Sequence, residues 1–106
     1  MKTAMISQPM SGLSDEEIES VRNVAIKKLQ DRGYIILNTF FDDDVFVDII
    51  SDKQVENAGL YYLSKSIEYM SSCDAVYFCR GWESARGCKT EHDIAEAYGL
   101  KIIEED

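Results

Sequence analysis

Residues 75–79 read "AVYFC", five apolar side chains in succession. A strand with one wet face alternates apolar and polar residues. An unbroken apolar run suits a strand covered on both faces, as in a parallel sheet. "YIILN" at 34–38 has the same character. "TAMIS" at 3–7 reads as a short first strand, ended by Pro9 and Gly12, and "KIIEE" as a final short strand or tail.

Helical patterns separate these runs. Ser14-x-x-Glu17 forms a capping box in which the Ser14 hydroxyl accepts from the Glu17 amide and the Glu17 side chain reaches back. Ile18, Val21, Ala25 and Leu29 follow at helical spacing, and Gly33 suits the left-handed position after the helix. Leu60, Leu63, Ile67 and Met70 predict a helix near 55–72, and a last helix runs over 86–99 to Gly99. Segment 39–54 mixes aromatics with acids, shows no period and reads mainly as a loop. The order β-α-β-(loop)-α-β-α-β implies one α/β domain over residues 1–106. It is a short parallel sheet flanked by helices and joined by right-handed crossovers.

The charge balance excludes some partners. With 11 basic and 20 acidic residues the net charge is −9, which repels phosphate polymers, so no nucleic acid polymer is expected. A small nucleotide can still bind where a cationic group or a helix N-terminus offsets the field. No apolar run approaches the ~20 residues of a membrane span, and the first residues are too short an apolar stretch for a signal peptide. Three cysteines without CxxC spacing read as reduced thiols in a cytoplasm. A single His argues against structural zinc, and neither a metal nor a cofactor is expected. Asp42–Asp44 read as a solvated acidic loop, since no calcium-loop pattern follows.

In open sheets of this type ligands bind beyond the carboxyl ends of the strands. "SQPMSG", "NTFFDDD" and "RGWESARGCKTE" should meet there. Glu91, Ile94, Ala95 and Tyr98 share one helix face, so Glu91 should point inward near that crevice. It reads either as a wet first-turn Glu held by the helix dipole or as a partly desolvated nucleophile or general base. "RGWESARG" reads either as a plain strand-to-helix connection or as an anion or sugar site built on Arg80, Arg86 and helix amides. Trp82 reads as packing rather than base stacking, His92 as a surface or interface residue, and Asp74 as structural.

Four segments carry a resemblance: "MISQPMSG" at the start, "CDAVYF" at 73–78, "GWESARG" at 81–87 and "TEHDIAEAYGLKII" at 90–103. Together they resemble the nucleoside 2-deoxyribosyltransferase superfamily, and within it a small branch found in bacteria and bacteriophages. The resemblance implies a Rossmann-like (flavodoxin-like) fold. It also implies cleavage of the N-glycosidic bond of a nucleoside or nucleotide, by transfer or hydrolysis, in a homodimer or higher homo-oligomer. It puts the catalytic nucleophile at Glu91 and a leaving-group acid at Glu83, with Ser7, Gln8, Ser11, Gly12, Ser66, Arg86 and Gly87 around the ligand. Three positions depart from the family pattern. Met5 stands where a Tyr contacts the nucleophile, Ser66 where an Asp orients the sugar, and Gln8 where many relatives have Gly.

Two other functions compete with an enzyme. One is a non-catalytic nucleotide- or metabolite-binding module, such as a phage-encoded modulator. The other is a protein-interaction domain built on the acidic loop 42–56 with Phe40, Phe41, Phe46, Tyr61 and Tyr62.

Overall fold

The structure, a computed structural model, describes residues 2–10, 12–37 and 57–105. Ser11, the acidic loop 42–56 and the aromatics Phe40, Phe41 and Phe46 lie outside the described residues. The elements run β1 (Thr3–Ser7), α1 (Asp15–Asp31), β2 (Ile35–Ile36), α2 (Ala58–Met70), β3 (Ala75–Phe78), a single 3-10 turn (Trp82–Ser84), α3 (Arg86–Ala97) and β4 (Lys101–Glu104). The four strands form one all-parallel sheet in the order β2-β1-β3-β4. This is an α/β Rossmann-like domain with the flavodoxin strand order.

Both faces of the sheet are covered. Ala4, Ile6, Ala75, Tyr77 and Ile103 pack with Ala25 and Leu29 of α1. On the other face Met5, Val76 and Phe78 pack with Met70 of α2 and Ala95 of α3. The period of two along β1 and β3 therefore sorts consecutive apolar residues onto opposite helix layers, which is why their runs are unbroken.

The boundaries differ from the sequence expectations in informative ways. The strand expected over 34–38 pairs only at Ile35–Ile36, and Asn38 is outside the described residues. β3 stops at Phe78, although Cys79 continues the backbone bonding by donating to the Ser7 carbonyl at 3.0 Å. Ser14 caps α1 as expected by accepting from Glu17 N at 3.2 Å, but the Glu17 carboxylate accepts from the Ser14 hydroxyl instead of reaching the backbone. α3 ends at Ala97, so Tyr98 leaves the inward face and is 82% exposed. On α2, Leu60 and Ile67 face solvent, and the buried stripe runs through Ser66 and Met70. Asp74 is structural, as read: its carboxylate accepts from Thr3 N at 2.8 Å and ties the starts of β1 and β3 together.

Candidate functional site

The strand order makes β1 and β3 the two central neighbours. The chain leaves them on opposite sides, which opens a crevice at their carboxyl ends. A cavity of about 700 Å³ lies there. That volume falls within the usual range of small-molecule sites. β1 and the loop after it supply Met5 to Met10, α1 supplies Arg22, and α2 supplies Gly59, Tyr62, Leu63 and Ser66. The end of the 3-10 turn supplies Ser84, and the N-cap and start of α3 supply Ala85 to Cys88 and Glu91.

Local sequence explains how each wall is placed. Gly81, at φ +93°, takes the left-handed turn that swings the chain from β3 into the 3-10 turn. Trp82 follows and packs 5.7 Å from Phe78. Its indole stacks on His92, with ring centroids 4.0 Å apart and planes 5° apart. His92 was read as a surface or interface residue. Instead its side chain is 14% exposed and wedged between Trp82 and Phe78, because Trp82 covers it. This stack fixes α3 against the turn and so aims the preceding residue, Glu91, at the crevice.

Glu91 is 9% exposed and lies on the cavity wall. Burial pushes its carboxyl above the usual carboxylate range, while hydrogen bonding from Ser7 and Ser66 pulls it back. The wet first-turn reading of Glu91 is thereby set aside. Ser7 stands between Glu91 and the Cys88 thiol and steadies the charged form of each, yet no group meets Ser7 Oγ in full hydrogen-bond geometry. Cys88 itself is pushed up by burial and by the neighbouring Glu91, so it stays a neutral thiol. Gln8 is clamped at one end only: Nε2 donates to the Ile18 carbonyl at 2.6 Å, and Oε1 is buried without a partner.

Of the residues singled out from the sequence, Ser7, Gln8, Ser66, Arg86, Gly87 and Glu91 converge on the cavity. Three described ones do not: Glu83, Gly12 and Arg80, the last exposed just beyond β3 and outside the wall. Glu83 sits exposed on the 3-10 turn and is no part of the cavity wall, because the turn carries its side chain away from the crevice. Gly12 lies beyond the bend after β1 and is also outside the wall. Arg22, Cys88 and Tyr62 belong to the wall and were missed. Arg22 had a readable signal: it falls four residues after Ile18, three before Ala25 and seven before Leu29, on the buried face of α1.

Two cations, Arg22 and Arg86, thus line a cavity in a strongly acidic protein. Ala85 offers no side-chain cap to α3, and Ala85 to Cys88 at the start of that helix line the same cavity. Among the described residues no group of three His, Cys, Asp or Glu is arranged to hold a metal. No helix there is long and apolar enough to cross a membrane.

Fold and site together define an α/β domain with a ligand cavity at its switch point and a buried carboxylate on the cavity wall. The family is shown by sequence: residues 2–104 match the model of a domain of unknown function, DUF4406, and the chain belongs to that family. Comparison with curated proteins returns no match, and neither does comparison with solved structures.

Proposed function

We propose that the protein acts on the N-glycosidic bond of a nucleoside or nucleotide, with Glu91 as nucleophile. The observation that carries this reading is the Glu91 carboxyl, desolvated on the wall of a ligand-sized cavity with the serines Ser7 and Ser66 beside it. The resemblance of "MISQPMSG", "GWESARG" and "TEHDIAEAYG" to nucleoside 2-deoxyribosyltransferases adds to it.

In this scheme a Glu91 oxygen forms a bond to the anomeric carbon as the carbon–nitrogen bond breaks. The bonding pair leaves with the base, which takes up a proton. Water, or a second base, then attacks the same carbon and frees Glu91. Ser7 and Ser66 favour the charged carboxylate against the pull of burial, and Ser66 does so from the position where the nucleoside 2-deoxyribosyltransferases that the chain resembles carry an Asp. Glu83 is poorly placed as the leaving-group acid, so the reading does not depend on it.

The test is release or exchange of free base from a panel of nucleosides and their 5′-monophosphates, followed by chromatography. Wild type should release or exchange base, and Glu91→Gln should lower the rate by on the order of 10³-fold or more. Absence of base release from every substrate, or equal rates in the variant, rejects the enzyme.

One observation favours the second reading, a non-catalytic nucleotide-binding module. Met5, 1% exposed on the cavity wall, offers Glu91 no hydroxyl where the nucleoside 2-deoxyribosyltransferases that the chain resembles have a Tyr. Tight nucleotide binding without turnover, unchanged in Glu91→Gln, is the result that selects it.

A further inference from the structure

The cavity holds two polar atoms that the protein leaves unsatisfied. Ser7 Oγ and Gln8 Oε1 are both buried without a hydrogen-bond partner, on residues 3% and 8% exposed that line the cavity. A buried polar atom without a partner is costly, so two on successive residues of one cavity wall call for an explanation. The Gln8 amide cannot relieve its own oxygen by turning over. Its Nε2 is spent on the Ile18 carbonyl, which accepts only from a donor. Gln8 therefore presents an oxygen that asks for a hydroxyl or amine hydrogen, in the same cavity wall as a serine hydroxyl that can give or take one.

Their position relative to Glu91 decides which part of a ligand they meet. Ser7 adjoins the Glu91 carboxyl. In a β-nucleoside the base stands on one face of the sugar ring, and the 2- and 3-hydroxyls of a ribose stand on the other. A carboxylate that displaces the base in line arrives on the hydroxyl face. Groups flanking that carboxylate consequently meet the sugar hydroxyls, not the base. Bonds to the hydroxyl next to the anomeric carbon also strengthen as the transition state forms.

The geometry points to Gln8 and Ser7 as the residues that read the sugar, selecting a ribosyl over a 2-deoxyribosyl substrate. This rests on the assignment of Glu91 as nucleophile, and it sets the chain apart from relatives that transfer a deoxyribose. A 2-deoxy sugar leaves one of the two atoms unmatched, and a site built to bond a hydroxyl rejects the analogue that lacks it.

The experiment is isothermal titration of the protein with matched pairs, each ribonucleoside and its 2′-deoxy form, and likewise the 5′-monophosphates. The ratio of the two affinities is read for each base. The ribo form should bind about 10-fold or more tightly. Gln8→Met removes the acceptor and should bring the ratio toward one. Ser7→Ala, a smaller change with no lost backbone contact, should do the same if Gln8→Met folds poorly. Equal or tighter binding of the deoxy forms, or a ratio unchanged in both variants, overturns the selectivity while leaving the nucleoside reading in place. Failure of every pair to bind overturns the nucleoside reading itself, and the selectivity with it.

Discussion

Glu91 is stabilised less than a surface carboxylate would be. In the unfolded chain it titrates near its ordinary 4.5, and burial raises that value in the fold. Between the two values the folded state binds more protons than the unfolded one. Stability from this group is therefore complete below about pH 4.5 and is lost as pH rises through the raised value. Glu91→Gln removes the charge and keeps the shape. Its melting temperature should exceed that of wild type by a few degrees at pH 8, with the gap closing toward pH 4. Thermal unfolding of both proteins across that range measures it, and parallel curves at all pH values would refute it. The inward direction of Glu91 was legible because Ile94 and Ala95 share its face. Tyr98 was not, because the helix ends one residue before it and a periodicity cannot announce where it stops. Arg22 lies inside because its spacing from Ile18, Ala25 and Leu29 puts it on the buried face of α1, even though it carries a charge.

Among the elements, the turn Trp82–Ser84 and helix α3 act as one unit. The Trp82–His92 stack joins them, and His92 also lies 3.9 Å from Glu104 of β4 and 4.0 Å from Glu96 of its own helix. His92→Ala removes the ring that covers Trp82. The variant should lose about 1 kcal/mol of stability and shift the emission of the chain's one Trp to the red. Unchanged emission would mean that the indole is shielded by something else. The capping of α1 could be read from Ser14 and Glu17, since cap chemistry is local. The Trp82–His92 contact could not, because it depends on how a left-handed Gly81 folds the turn back over a helix ten residues on. The exposed Leu60 and Ile67 mark the same limit: helical spacing identifies a stripe, and only the sheet decides which stripe it covers.

For the whole molecule, the unbroken runs "AVYFC" and "YIILN" already implied a covered parallel sheet, and the strand order follows with few alternatives once crossovers share one hand. That order brings the ends of β1 and β3 together and so places the cavity. The contents of the cavity were only partly legible, since its walls come from segments up to 86 positions apart, from Met5 to Glu91. The central claim is that Glu91 forms a bond to the sugar. Intact-mass spectrometry of protein incubated with ribonucleosides and their monophosphates, then quenched in acid, tests it most directly. The account predicts wild-type protein heavier by one glycosyl residue, with the added mass on the peptide that contains Glu91, and no such species in Glu91→Gln. Base release without any adduct, and undiminished in Glu91→Gln, would contradict it.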